Sequence, residues 1–484
     1  MNNKMVRYVI GHIMKIETAF MLLPLILSFL YDESIIVKKA YVFTIILLIF
    51  FSFLISNKAP KNQKIYAKEG LVIVSGSWIA LSFFGALPFV FSKRIPSFID
   101  AFFETVSGFT TTGASILTNV EALEHSLLFW RSFTHLVGGM GVLVLALAIL
   151  PKNNNQSLHI MKAEVPGPTF GKLVAKMSYN SRILYMIYIF ITIVIIILLK
   201  LGGMPLFDSV VHAFGTVGTG GFGIKNNSIA YYDSSYIDYV LGIGMLLCGM
   251  NFNLFYALLL KNYKQIFKNE ELRFYCSIVA FSILAIVINI APAYKSMWRL
   301  FRDVFFTVSS VITTTGYSTV DFDTWPVFSK TVLLLLMFVG GCAGSTAGGI
   351  KVSRIAILFK TVAGEFKKIG TPNRVLDIKM DKKVITKELS TGISTYLMLY
   401  ITIFLIAILC IAWDSPDFLS AFSAVAATFN NIGPGMGIVG PTSNYSSFSD
   451  INKVVLSLVM LLGRLEIFPI LILFSPSLYG NMNK

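Results

Sequence analysis

The chain has 484 residues, of which 55% are hydrophobic and 13% charged, and its mean hydropathy is +0.73. Water-soluble globules carry about 25% charged residues, so these values exclude a soluble enzyme or binding domain and describe a protein of the bilayer. The formal net charge of +15 reads as membrane topology, because Lys and Arg collect in cytoplasmic segments, and calls for no nucleic-acid partner.

Apolar runs long enough to cross about 30 Å of hydrocarbon lie near residues 16 to 31, 39 to 56, 70 to 92, 126 to 150, 181 to 201, 236 to 260, 274 to 293, 327 to 350, 391 to 412 and 453 to 475. They predict an all-α polytopic membrane protein with about ten transmembrane helices. The N-terminus lacks the small-residue cleavage site of a secretory signal, so the first run reads as a retained span. With the first fifteen residues placed in the cytoplasm, most of the 40 Lys and Arg fall in inner segments and both termini are cytoplasmic. The longest polar stretches, 151 to 180 and 354 to 390, are then cytoplasmic too. The second carries Lys367, Lys368, Arg374, Lys379, Lys382 and Lys383. It reads as a solvated topogenic loop, with docking to an acidic partner or to lipid headgroups as the alternative. Cys248, Cys276, Cys342 and Cys410 lie in or beside spans and show neither a disulfide framework nor a zinc spacing.

Between spans three and four, five and six, seven and eight, and nine and ten, one phrase recurs without gaps. The copies are DAFFETVSGFTTTGAS (100 to 115), DSVVHAFGTVGTGGFG (208 to 223), DVFFTVSSVITTTGYS (303 to 318) and SAFSAVAATFNNIGPG (420 to 435). Asp100, Asp208, Asp303 and Ser420 each stand 13 residues before a glycine, Gly113, Gly221, Gly316 or Gly433. Asp and Ser are helix N-cap residues, so each copy predicts a capped helix of about three turns running into an extended strip. The glycines are 108, 95 and 117 residues apart, a period that predicts homologous modules. An N-terminal helix pair would cover 1–60, and four modules of helix, pore-like hairpin and helix would cover 61–160, 161–265, 266–370 and 371–484. The charge bias puts all four hairpins on the outer side.

Irregular backbone is tolerated at membrane depth only where it is buried in protein or lines a watery cavity. Four copies around one axis make such a cavity. Carbonyl oxygens from the strips can replace the water shell of a monovalent cation, with Thr hydroxyls adding further oxygens. Glycine supplies the backbone angles that turn carbonyls inward, and helix C-termini aimed at the cavity add partial negative charge. The strips are Thr110, Thr111, Thr112 and Gly113; Gly218, Thr219, Gly220 and Gly221; Thr313, Thr314, Thr315 and Gly316; and Asn430, Asn431, Ile432 and Gly433. None carries an acid, which argues against divalent cations and for a large, weakly hydrated monovalent one.

These residues resemble the Trk/Ktr/HKT superfamily of potassium uptake proteins. SGFTTTG (107 to 113), ITTTGY (312 to 317) and NNIGPGMG (430 to 437) look like its pore-loop signatures. HLVGGMGVLVLALAILP (135 to 151), AEVPGP (163 to 168), GGCAGSTAGGIK (340 to 351) and GRLEIFP (463 to 469) extend the resemblance over nearly the whole chain. The extra N-terminal helix pair and the GRLE segment look most like the bacterial TrkH/TrkG branch. The resemblance implies a gated, K+-selective pathway, also passing Rb+, in each subunit of a homodimer in the bacterial inner membrane. It also implies a cytosolic, TrkA-like, nucleotide-binding regulatory subunit, with K+ as the transported ion and no organic cofactor. Glycine at all four strip ends resembles the potassium-selective members, whereas sodium-preferring relatives often have Ser in the first; Gly218 departs from the Thr or Asn of the other copies.

Residues 340 to 349 hold five glycines, Gly340, Gly341, Gly344, Gly348 and Gly349, together with Ser345 and Thr346. Each Gly costs a helix roughly 1 kcal/mol against Ala, so the eighth span should be interrupted by a flexible segment. It reads as a gate crossing the pathway below the strips, where the resemblance implies an intramembrane loop; a Gly-rich helix-packing face is the alternative. Arg464 lies well inside the last span, where a charge costs at least ~2.5 to 3.5 kcal/mol and must face a cavity or a partner. It is expected beneath the strips near the glycine loop, opposing cations, with Glu466 pointing elsewhere on the helix. A structural pair with an acid on another helix is the alternative.

Two look-alikes fail on context. GTGGFG (218 to 223) fits a dinucleotide pattern that must open a helix after a strand, yet here it closes an apolar helix. In GCAGSTAGGIK, Gly349 is followed by Ile350 and not by the Lys of a phosphate loop. His135 and His212 are not read as catalytic; His212 is expected to pack against the strips. Two transport classes stay open: a channel-like pathway driven by the membrane potential, or a symporter coupling K+ to H+ or Na+. Coupling needs ionisable groups along the path, and Glu104 is the conspicuous acid near a strip. A non-transporting receptor or scaffold leaves the four hairpins unexplained.

Overall fold

The computed structural model describes residues 1–56, 58–141, 177–370, 377–381 and 383–475. Apart from loops and one short antiparallel ribbon, the described residues are helical, in keeping with the all-α class. In hydrocarbon a helix satisfies its backbone polar groups within one segment, and the apolar runs fold accordingly. An N-terminal hairpin of α1 (Asn3–Leu30) and α2 (Ile35–Ser56) is followed by α3 (Ala67–Phe91), α4 (Phe98–Phe109) and α5 (His125–Gly139). Next come α6 (Met177–Leu201), α7 (Leu206–Val217), α8 (Ser235–Cys248), α9 (Phe252–Leu259) and the short α10 (Tyr263–Lys268). Helices α11 (Glu270–Ile290), α12 (Met297–Ile312), α13 (Val327–Phe338) and α14 (Val352–Gly370) precede the ribbon of β1 (Lys379–Met380) and β2 (Lys383–Val384). The described chain ends with α15 (Lys387–Ala412), α16 (Phe418–Phe429), α17 (Asp450–Arg464) and α18 (Phe468–Leu471).

The ten expected spans are not ten continuous helices. Six helices are long and apolar enough to cross a membrane, and two bent pairs bring the number to as many as eight among the described residues. The run from 236 to 260 bends by 93° between α8 and α9, and that from 453 to 475 bends by 119° after Arg464. At the first bend Asn251 caps α9 by accepting from Asn253 N, while Gly249 gives its carbonyl to Cys342 N at 2.9 Å. At the second, Glu466 and Ile467 take φ +56° and +70°, and Pro469 opens the next turn. The run from 327 to 350 is helical only to Phe338. The fourth run is α5 as far as Gly139, and from residue 142 on it lies outside the described residues, as do the 151 to 176 stretch and the AEVPGP motif.

The described part of the stretch from 354 to 390 is not all loop. It holds α14 and the ribbon, pinned by a small apolar cluster of Ala356, Ile357, Met380, Ile385 and Ile393. Lys360 pairs with Glu270 of α11, and Lys368 with Glu365 at 2.5 Å. Arg374 and Lys382 lie outside the described residues.

Helices α4, α7 and α16 have 12 residues each, about 18 Å, too short to cross about 30 Å of hydrocarbon. Their flanks are covered by protein: Ala101 and every residue from Phe103 to Phe109 are buried. The expected N-caps are displaced. Ser97, Pro205, Ser296 and Asp417 occupy the cap positions, and Ser97 and Asp417 accept from the N–H of Asp100 and Ser420. The aligned acids serve longer-range contacts instead. Asp100 takes Lys453 Nζ at 2.6 Å, Asp208 takes Tyr232 OH at 2.7 Å and Asp303 takes Tyr294 OH at 3.1 Å.

Candidate functional site: four strips, a glycine loop and Arg464

Each short helix ends in the same way. The cap residues Thr110, Gly218, Thr313 and Asn430 follow the helix, and then Thr111, Thr219, Thr314 and Asn431 turn left-handed at φ +55°, +53°, +55° and +56°. The third residue's N–H reaches back to the helix: Thr112 N to Ser107 O at 2.9 Å, Gly220 N to Gly215 O at 2.7 Å, Thr315 N to Ser310 O at 2.9 Å and Ile432 N to Ala427 O at 2.8 Å. This is a Schellman closure, which normally places Gly in the left-handed position. A β-branched Thr there is an outlier, strained by about 1–3 kcal/mol. The strips are therefore not extended, as the sequence suggested. Their φ angles alternate in sign, ending in Gly113, Gly221, Gly316 and Gly433 at +78°, +77°, +86° and +94°, and the N–H groups of the first three residues of each strip are spent on the helix ends.

The strips form a closed ring. A Cβ on Gly113 would collide with the carbonyl oxygen of Gly220, one on Gly221 with that of Thr315 and one on Gly316 with that of Ile432; one on Gly433 would lie 2.6 Å from that of Thr112. Each strip thus abuts the next, and the fourth returns to the first. Above the glycines opens a cavity of about 190 Å³ whose wall includes Gly113, Gly221, Gly316, Gly433 and Arg131. The Thr hydroxyls of the strips are hydrogen-bonded within the protein. Thr110 Oγ1 meets Thr112 Oγ1 at 2.7 Å, Thr313 Oγ1 meets Thr315 Oγ1 at 2.8 Å, and Thr219 Oγ1 donates to Gly218 O at 2.7 Å. Asn431 Nδ2 donates to Thr112 Oγ1 at 2.9 Å and to Met460 O at 3.0 Å.

Several side chains brace the ring from behind. His135 bonds Gly108 O through Nδ1 at 2.8 Å and accepts Phe222 N–H at Nε2, 3.2 Å away, so its ring backs Gly220. His212 donates from Nδ1 to Asp208 O at 2.8 Å, and Tyr317 OH donates to His212 O at 3.1 Å. Glu104 accepts from Ser115 Oγ at 2.9 Å, Ile116 N at 3.0 Å and Arg131 Nε at 2.5 Å. Over the cavity, Lys225 Nζ donates to Glu121 at 3.1 Å and Asn226 N to the same carboxylate at 3.3 Å. The Lys225 bond, then that from Asn226, hold the Glu121 carboxyl below its usual range.

On the other side of the ring lies the glycine loop. It is a bonded structure and not a slack segment: Val339 and Ile350 bridge in parallel, and Gly340 N donates to Ile350 O at 3.0 Å. Gly344 and Gly349 need positive φ, at +74° and +68°. Glu271 of α11 accepts from Ala343 N at 2.7 Å and Ser353 N at 3.1 Å, stapling both ends. Ser345 Oγ donates to Cys342 O at 2.7 Å, and Thr346 N donates to Cys248 O at 3.4 Å. Gly348 N donates to Thr314 Oγ1 at 2.6 Å, and a Cβ on Gly348 would strike Asn430 O. A side chain on Gly341 would come 2.7 Å from Gly249 O.

Arg464 ends α17 at the bend. Its Nη1 donates to Thr111 Oγ1 at 3.0 Å and Thr346 O at 2.8 Å, and its Nη2 to Gly138 O at 2.6 Å and Gly139 O at 2.8 Å. The cation thus sits on the carbonyl end of α5, where the helix dipole favours it, and joins the first strip to the glycine loop. Glu466 points away and pairs with Arg354 at 2.5 Å, whose guanidinium lies 4.0 Å over the Tyr396 ring. Sequence reasoning brought strips, loop and Arg464 together; it missed Glu271, Arg131, Tyr400 (OH to Asn430 Oδ1, 2.9 Å) and Tyr445 (OH to Gly433 O, 2.7 Å), because their partners are distant in the chain.

Known proteins are similar to this chain over nearly its whole length. Residues 37–482 match the model of the TrkH family, described as cation transport proteins. The Trk system potassium uptake protein TrkH of Salmonella typhimurium is 34% identical over 99% of this chain and all of its own length. TrkG of Escherichia coli, bearing the same Trk system description, is 35% identical over 98% of each chain. The crystal structure of the potassium transporter TrkH from Vibrio parahaemolyticus superposes with a TM-score of 0.89 and 32% identity, covering 99% of this chain and 100% of that one. These relatives are transport proteins and not enzymes. With a family match over most of its length and relatives alike from end to end, the chain belongs to the TrkH family of cation transport proteins.

Proposed function

We propose that this protein takes up potassium through a gated, channel-like, K+-selective pathway in which the four strips are the selectivity filter. The observation that carries the reading is the closed ring, with N–H groups turned back to the helices and no acid in any strip. Carbonyls so arranged can stand in for the water of a large monovalent cation. The glycine loop and Arg464 are the gate: together they bond to Thr111 and Thr314, beneath two of the strips. The reading divides the chain into four modules near 61–160, 161–265, 266–370 and 371–484 behind a helix pair over 1–60, a division supported by the alternation of long and short helices among the described residues.

The same reading makes K+, and Rb+ with it, the transported ion and places the protein in a bacterial inner membrane with both termini in the cytoplasm. It includes a homodimer and a cytosolic TrkA-like nucleotide-binding subunit, both drawn from the family resemblance. Against coupling to H+ or Na+ stands the engagement of Glu104, the sequence's best relay candidate, in three bonds including one to Arg131. The test is uptake of Rb+ or K+ against Na+ in liposomes under an inside-negative potential. Selective uptake that follows the potential supports the pathway. Failure of wild-type protein to carry any cation, alone or with its cytosolic partner, refutes it; uptake that stops without a proton or sodium gradient refutes the channel-like mechanism.

A further inference from the structure

Four residues after the aligned Asp or Ser, the short helices carry Glu104, His212, Thr307 and Ala424. The first is an acid, and it is 1% exposed. Its ion-pair partner, Arg131 of α5, is 3% exposed. Together they touch the chain leaving two strips. Glu104 holds Ser115 and Ile116 after the first; Arg131 donates from Nη1 to Gly223 O at 2.8 Å and lies 3.5 Å over the Phe222 ring after the second. Arg131 is also part of the wall of the cavity above the ring. A guanidinium is therefore built into the approach to a cation path, close to a carboxylate that cancels its charge.

We propose that Glu104 and Arg131 are positioning residues that act as one neutral unit: the guanidinium fork ties the first two strips together, and the carboxylate keeps the entrance from repelling cations. The inference rests on the strips being the cation path. A planar guanidinium can bond a carboxylate and a carbonyl while stacking on an aromatic face, which Lys cannot reproduce. Neutrality at the mouth then depends on the Glu104 carboxylate paired with it. Charged clefts change the local concentration of an ion by about 10-fold to 1,000-fold, and an uncompensated Arg131 would apply that factor against entry.

The test is rubidium uptake by full-length protein in liposomes, for wild type, Glu104→Gln, Arg131→Met and the double variant. External ionic strength is raised with an impermeant salt from about 0.01 M to about 1 M, which shortens the screening distance from about 30 Å to about 3 Å. Glu104→Gln keeps the shape of the acid and its acceptor oxygen, and is expected to lower low-salt uptake about tenfold or more, with partial recovery as salt rises, because Arg131 lines the cavity but is largely buried and only partly screened. Arg131→Met leaves the opposite charge, so its uptake should fall as salt rises and its K+ over Na+ preference should weaken. The double variant should regain the salt profile of wild type and keep the weakened preference. Wild-type profiles for both single variants, or losses in both that ignore salt, would overturn the inference alone. If Glu104→Gln does not fold, the reversed salt slope of Arg131→Met still decides. Absence of selective uptake in wild type would instead overturn the functional reading on which the pair depends.

Discussion

Gly113→Ser tests the ring most directly. At φ +78° a side chain is strained whatever surrounds it, by about 1–2 kcal/mol for an L-residue in the left-handed region. At Gly113 the new Cβ also lands on the carbonyl oxygen of Gly220, and overpacking of a close-packed contact adds about 1–3 kcal/mol. The expected loss of stability is the sum, about 2–5 kcal/mol, unless the first two strips move apart. If they move, Gly220 O leaves its place, and each 1.4 kcal/mol of lost discrimination is about tenfold in relative affinity. Gly203→Ala separates the two effects, because Gly203 has φ +86° and nothing within 4 Å of its added Cβ; it should lose about 1–2 kcal/mol and no selectivity. The assay is rubidium uptake against competing sodium, with the melting temperature of each variant measured in detergent. We expect roughly tenfold or greater relaxation of selectivity for Gly113→Ser. An unchanged ratio in folded Gly113→Ser protein, or an equal change in Gly203→Ala, would refute the reasoning.

Further expectations follow from the loop and its neighbours. Arg464→Ala removes four bonds that join α5, the first strip and the loop, and should raise uptake without the cytosolic partner several-fold or more; constant uptake in folded protein would contradict it. Thr314→Val keeps the shape at φ +55° but takes the acceptor from Gly348 N–H, a loss of about 1–3 kcal/mol, and should raise amide exchange across residues 343–349. Glu466→Gln breaks the pair with Arg354 and should lower the melting temperature, with Arg354→Gln in the same protein giving less than the sum of the single losses. Lys225 and Asn226 hold the Glu121 carboxyl below its usual value. Its contribution is thus complete above the ordinary value of about 4.3 and is lost as pH falls through the lowered value. Hydrogen exchange at 119–121 and 225–227 should rise only in that acid range.

The sequence carried the repeat, the class and the residues around the ring, because these are local signals: an apolar period, a small-residue phrase and a glycine at fixed spacing. It did not carry the cap positions. Asp100, Asp208 and Asp303 align because each anchors a residue elsewhere, Lys453, Tyr232 or Tyr294, and local propensity mistook that alignment for capping. The bends at Gly249 and after Arg464 were hidden for a similar reason. The apolar text runs on through both, and the break is stabilised by groups far along the chain, such as Cys342 N on Gly249 O. The left-handed Thr residues could not be foreseen either, since Thr disfavours that region and only the packed ring keeps it there.

With the module bounds proposed above, Arg464 falls in the fourth of the four units alone. An assembly of four identical subunits would have to place a guanidinium at the same depth in every quadrant, and like charges 4 Å apart repel by about 4 kcal/mol at an effective dielectric of 20. Four copies carried on one polypeptide are free of that constraint. The quadrants keep a common backbone ring while their sequences diverge, so a lone cation can bridge the first strip to the loop of the third unit. On the proposed reading, asymmetry within a single chain lets one guanidinium serve the gate without three like charges beside it.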